Sequence, residues 1–140
     1  MDSDSSLARS LGARGLLASR QMALRAIMDG RGVDSVILSA PASIAHYGGQ
    51  AGPSAGLLIV TARNAHLLET GAGTDADALW VRAAGLLRRG CALGYEGHFL
   101  DPRAVARFKT LLTPARVLDI GPQIARQIAA DAAARCAVPP

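Results

Sequence analysis

The segment from Gly32 to Gly49 constrains the fold of this chain more than any other. It opens with Val33-Asp34-Ser35-Val36-Ile37-Leu38, a short run rich in β-branched residues, with Gly32 before it and Pro41 after it. Such a nearly continuous apolar run suits a central strand covered on both faces. It therefore demands strands beside it and helices above and below. Past Pro41 the segment reads as a short turn that sets the imidazole of His46 beside the phenol of Tyr47, ahead of Gly48-Gly49.

The rest of the chain supplies those neighbours. Leu17, Leu24, Ile27 and Met28 recur at helical spacing, which predicts a helix starting at residue 7 or 16 and ending at 29. Gly30 and Gly32 stop it. After a glycine-rich loop over 48–56, residues 57–61 and 65–69 read as two strands joined at Arg63-Asn64, a hairpin. Residues 75–89 read as a helix with Asp75 and Asp77 in its first turn and Arg88-Arg89 in its last, both favourable to the helix dipole. A fourth strand over 91–95 follows. Asp101-Pro102 then gives an N-cap and a proline at the first helical position. Val105, Phe108, Leu111 and Leu112 form the buried stripe of that helix. A fifth strand over 116–120 precedes Gly121-Pro122 and a last helix carrying Ile124 and Ile128.

A hairpin followed by alternating helices and strands predicts an α/β fold, a five-stranded mixed sheet with helices on both faces. The order 3-2-1-4-5 with strand 2 antiparallel satisfies the hairpin and the right-handed crossovers, a ribonuclease-H-like arrangement. Residues 1–15 read as a flexible N-terminal segment, 16–136 as the domain and 137–140 as a tail. At 140 residues the chain suits one core.

Composition excludes several classes. Half the residues are apolar, yet no stretch nears the ~20 uninterrupted apolar residues of a membrane helix. Met1-Asp2-Ser3-Asp4-Ser5-Ser6 is unlike a secretory leader, so a cytoplasmic location is expected. Cys91 and Cys136 lack metal-ligand spacing, and Cys91 is expected to pack as a small hydrophobe. The net charge of +4 rests on scattered arginines, with Lys109 the only lysine. Trp80, Phe99 and Phe108 are assigned to the core, which leaves no aromatic platform for bases. Neither nucleic acid nor membrane is an expected partner.

Several pieces in order resemble the creatinase/prolidase N-terminal domain, the non-catalytic front half of pita-bread metallopeptidases. They are Leu24-Arg25-Ala26-Ile27-Met28 before Gly32-Val33-Asp34, Pro41-Ala42-Ser43-Ile44-Ala45-His46-Tyr47-Gly48, the 57–69 hairpin, Leu93-Gly94-Tyr95-Glu96-Gly97 and Ala115-Arg116-Val117-Leu118-Asp119. The resemblance spans roughly residues 19–130 and implies a domain that supports dimerisation and helps close an active site carried elsewhere. The two-metal site of that family sits on Asp, Asp, His, Glu and Glu ligands of a following domain. Glu69 and Glu96 are the only glutamates here and both are used up by the predicted sheet, so this chain by itself is expected to hold no such set, and no metal or other cofactor is expected.

Three constellations bear on chemistry. Gly52-Pro53-Ser54-Ala55-Gly56 matches G-x-S-x-G, but a nucleophile elbow lies between a strand and a helix, whereas here a loop precedes and a strand follows. Gly71-Ala72-Gly73-Thr74-Asp75-Ala76 matches G-x-G-x-x-A, with Glu96 placed as a ribose-binding acid. Asp75 and Asp77 nonetheless put negative charge where a pyrophosphate would sit. The third follows from topology, because ligands favour the carboxyl ends of neighbouring strands whose connections diverge. Here those ends are Ser39-Ala40-Pro41, leading to His46-Tyr47, and Tyr95-Glu96, leading to His98. A ligand crevice of Ser39, Pro41, His46, Tyr47, Tyr95 and Glu96 is the candidate, with His46, Tyr47, Tyr95, Glu96 and His98 as acid–base groups. The alternative is that His46 and Tyr47 fill a subunit interface while Glu96 makes a local hydrogen bond. His66, alone within a strand, is assigned a structural place.

Two functions stay open at this level. One is a stand-alone, non-catalytic domain acting in homodimerisation and in binding a small molecule or a separate catalytic subunit. The other is a small metal-independent enzyme, a cyclase or isomerase of specialised metabolism, working through the His/Tyr/Glu crevice.

Overall fold

Leu24 and Met28 point the same way from a helix that ends in a left-handed glycine. Gly32 has φ +70°, the Val33 amide donates to the Met28 carbonyl at 2.9 Å, and the Gly32 amide donates to that of Asp29 at 3.2 Å. Glycine takes this conformation without steric cost, so the chain turns directly from helix to strand. The computed structural model describes residues 2–49, 55–70 and 75–136. Along them run α1 (Asp2–Arg31), β1 (Ser35–Leu38), α2 (Pro41–Gly48), β2 (Ala55–Thr61), β3 (Ala65–Glu69), α3 (Ala76–Gly85), β4 (Ala92–Tyr95), α4 (Pro102–Leu112), β5 (Arg116–Asp119) and α5 (Gly121–Cys136).

The strands form one sheet in the order β3-β2-β1-β4-β5. β1 is antiparallel to β2 and parallel to β4, and β5 is parallel to β4. The expected α/β sheet and its order are thus present. All four residues of β1 are buried, as its apolar run required. Period-2 alternation divides the core into two layers. Ile37, Leu57, Ile59 and Leu93 pack with Leu79 and Ala83 of α3 and with Phe108 and Leu112 of α4. Val36, Leu38, Leu58 and Val60 pack on the other side with Leu24, Met28, Ile44, Tyr47, Ile120 and Ile124. Cys91 is buried within the first layer.

Four local expectations differ from the structure. The stretch after Pro41 is a helix, α2, and not a turn; Pro41 stands in its first turn, where the missing N–H costs nothing. Ile44 and Tyr47, three apart, give it a buried face. α3 stops at Gly85, so Arg88 and Arg89 lie beyond the helix and do not serve its dipole. Arg88 instead donates to Asp34 Oδ2 at 3.2 Å. Phe99 is 59% exposed and lies outside the core, because Leu100 takes the buried place after β4. Finally, α1 begins at Asp2, ahead of residues 7 and 16.

Candidate functional site

β1 and β4 run parallel side by side, so their carboxyl ends open together. β1 leads through Ser39-Ala40 into α2, whose N-cap position is Ala40, a residue with no side chain able to cap. A helix start exposes amides with no partner inside the helix, and its dipole favours negative charge. Glu96, the residue after β4, fills that need from the neighbouring strand. Its Oε1 accepts from the Ser39 amide at 2.9 Å and the Ala40 amide at 3.1 Å. Its Oε2 accepts from Ser43 Oγ at 2.6 Å, and the residue is 3% exposed. Glu96 is therefore a long-range cap that ties β4 to α2.

The C-terminal end of α2 is held by α1. Gln21 Nε2 donates to the Tyr47 carbonyl at 2.9 Å, and Arg20 Nη1 to that of His46 at 3.4 Å. His46 Nε2 lies 2.9 Å from Asp131 Oδ2 of α5, whose other oxygen accepts from Gln127 Nε2 at 3.1 Å. The His46 ring meets the Tyr47 ring edge-on, with centroids 4.7 Å apart. Tyr47 is wholly buried in the second core layer, and its hydroxyl has no hydrogen-bond partner among the described residues. Burial pushes its pKa up to about 12, helped by the negative charges of Asp131 and Glu96. Ser39 Oγ is likewise buried without a partner among the described residues.

The expected crevice is divided by the sheet. Tyr95 packs against the first layer, on the side of α3 and α4, whereas Tyr47 belongs to the second. Gly97, His98 and Phe99 form an exposed stretch past β4, so His98 faces solvent. Pro41 is also exposed, and so is His66 on the edge strand β3. The structure thus groups Ser39, Tyr47 and Glu96 on one side, with His46 next along α2. It adds Ser43 and Asp131, which the sequence reading did not include. Ser43 lies three positions into α2, where a hydroxyl serves helix-start hydrogen bonding; Asp131 carries no such local signal. Gly52, Pro53 and Ser54, and also Gly71 to Thr74, lie outside the described residues. Asp75 caps α3 by accepting from the Asp77 amide at 3.4 Å. Glu96 is engaged at α2 and does not present itself as a ribose ligand.

Chemically, both Glu96 oxygens are taken by donors of this chain, and the Tyr47 phenol keeps its proton at neutral pH. The group is built to fasten the carboxyl edge of the sheet. Ser43→Ala removes one of the three donors to Glu96, and a loss of about 1–2 kcal/mol is expected in urea unfolding. No change would remove Glu96–Ser43 from this account. Among the described residues no group of three or more His, Cys, Asp or Glu is placed to hold a metal ion, and no helix is long and apolar enough to cross a membrane.

The same topology occurs in solved structures of proline-specific peptidases. A proline dipeptidase from Streptococcus pneumoniae superposes with a TM-score of 0.62 at 14% identity, over 77% of this chain and 96% of that one. The creatinase/prolidase N-terminal domain of an X-Pro dipeptidase from Streptococcus pyogenes gives 0.59 at 16%, over 76% and 96%. This chain has the creatinase/prolidase N-terminal fold. The prolidase from Pyrococcus horikoshii gives 0.58 at 16%, but there the match covers 76% of this chain and 33% of that chain. The creatinase/prolidase N-terminal fold therefore spans nearly all of the first two chains and about a third of the third. No family model and no curated protein matches the sequence.

Proposed function

We propose that this chain is a non-catalytic domain of the creatinase/prolidase N-terminal type that works by contact, pairing with a second copy of itself. The observation that carries this reading is the engagement of Glu96. Among the described residues Glu96 is the buried carboxylate at the mouth of the sheet, and its engagement by the Ser39 and Ala40 amides and the Ser43 hydroxyl supports a role in holding the fold. Of the other acid–base candidates, Tyr95 lies on the opposite face and His98 in solvent, while His46 and Tyr47 stay on the side of Glu96. Contact has a better footing. Phe99 stands 59% exposed, between Gly97 and Leu100, which with Tyr95, Pro102, Val105 and Lys109 line a groove of about 270 Å³. An exposed aromatic next in sequence to groove-lining residues suits a two-fold contact, in which each Phe99 enters the other copy's groove. Buried aromatics of this kind anchor interfaces.

Light scattering across a concentration series tests it. The expected result is a dimer that Phe99→Ser converts to monomer without loss of helical signal. A clean monomer of the unaltered chain at high concentration overturns the pairing. Loss of turnover of any cognate compound in folded His46→Ala or Glu96→Gln chains would overturn the non-catalytic reading and restore the cyclase or isomerase alternative.

A further inference from the structure

The long α1 and the C-terminal α5 lie side by side on the same face of the sheet and border a half-open cavity of about 230 Å³. Leu16, Ala23 and Ala134 give it apolar walls; Ser19, Arg20, Asp131 and Arg135 give it polar ones. The charges are arranged unequally. Asp131 is occupied on both oxygens, by His46 Nε2 and Gln127 Nε2. Arg20 uses Nη1 for a long 3.4 Å contact to the His46 carbonyl, and its Nε is buried with no partner among the described residues. Neither Arg20 nor Arg135 forms an ion pair among the described residues. A buried guanidinium N–H without an acceptor is unfavourable, and a ligand that supplies the acceptor gains from relieving it.

We propose that this cavity binds a small monocarboxylate with a short aliphatic chain. A carboxylate matches the planar fork of Arg20 and can accept from Nε and a terminal nitrogen together. Arg135 adds positive field at the mouth, and Ser19 offers a further hydroxyl. The aliphatic portion lies against Leu16, Ala23 and Ala134, an apolar wall of three short or medium side chains. A singly charged head suits the site better than phosphate, because the Asp131 carboxylate shares the cavity and repels a second negative charge. The proposal concerns a site whose lining shares no residue with the groove near Phe99 and does not depend on pairing.

Butyrate is the probe, with butylammonium and inorganic phosphate as comparisons, read by amide chemical shifts of α1 and α5 in the full chain. Saturable shifts are expected with butyrate and not with butylammonium. Phosphate should bind more weakly than butyrate. Arg20→Gln should weaken butyrate by at least about tenfold, since a charge-assisted hydrogen bond is lost. Ala134→Leu, at an exposed position, narrows the cavity with the charges intact and should weaken it comparably. Absence of saturable shifts, equal response to butylammonium, or unaltered butyrate affinity in either folded variant overturns the proposal. Tighter binding of phosphate than of butyrate overturns the monocarboxylate assignment.

Discussion

Glu96→Ala is expected to lower stability by about 3–5 kcal/mol, a large share of the 5–15 kcal/mol typical of a domain. The reason lies in what the substitution leaves behind. Glu96 satisfies two backbone amides and one hydroxyl, in a place that water hardly reaches. Each orphaned buried donor costs about 1–3 kcal/mol, while the small space left by the side chain readmits some water and recovers part of that. Glu96→Gln separates charge from geometry. Its carbonyl oxygen can still accept from Ser39 and Ala40, and its amide can donate to Ser43 Oγ, whose hydroxyl then turns to accept. The expected loss for this variant is about 1 kcal/mol, the charge-assisted portion alone. Urea unfolding of both variants checks the order, and hydrogen exchange at Ser39 and Ala40 should accelerate most in Glu96→Ala. Equal stability of Glu96→Ala and the unaltered chain would end the capping account. Because Ser43→Ala removes one donor of the same group, the double variant should lose less than the sum of the single losses.

How much of this was legible in the sequence depends on the range over which each feature is encoded. The sheet order followed from local signals. The apolar run at Val36-Ile37-Leu38 needs cover on both faces, the Arg63-Asn64 turn fixes the hairpin, and Asp101-Pro102 starts α4. The two-layer core then follows from alternation along β1 and β4. The crevice failed on that same alternation. Tyr95 and Glu96 are consecutive at the end of a strand, so they face opposite sides, and only one of them can join Tyr47. The helical face of α2 was also readable, because Ile44 and Tyr47 stand three apart after a proline suited to a first turn. The pairing of Glu96 with the start of α2 was not readable, since residues 57 apart meet only once β1 and β4 are aligned. The His46–Asp131 contact, spanning 85 positions, has the same origin in the docking of α5 on α2. Phe99 misled because aromatic residues are commonly buried, yet the turn after β4 offers the inward place to Leu100 alone.

Stability should fall steeply between pH 10 and pH 12, and Tyr47→Phe should flatten that fall. In the folded chain burial, with the nearby carboxylates of Asp131 and Glu96, raises the Tyr47 pKa from 10.0 to about 12. Below pH 10 both folded and unfolded states hold the phenolic proton, and the favourable contribution is present in full. Above pH 10 the unfolded chain releases the proton while the folded chain retains it. The folded state then binds more protons, so stability decreases with pH, by about 1.4 kcal/mol per pH unit and about 2–3 kcal/mol across the window. Phenylalanine has no proton to lose and no orphaned hydroxyl to bury. At neutral pH the variant is therefore expected to match or exceed the unaltered chain by up to about 1 kcal/mol. Tyr95→Phe leaves Tyr47 in place and should keep the alkaline fall. The burial-raised Cys91 thiol also titrates at high pH, but it is common to both chains and cancels in the difference. Urea midpoints taken every half unit of pH measure that difference. Parallel curves for the unaltered chain and Tyr47→Phe across this window would show that the phenol is solvated in the folded state. They would thereby contradict its place in the core between α2 and the sheet.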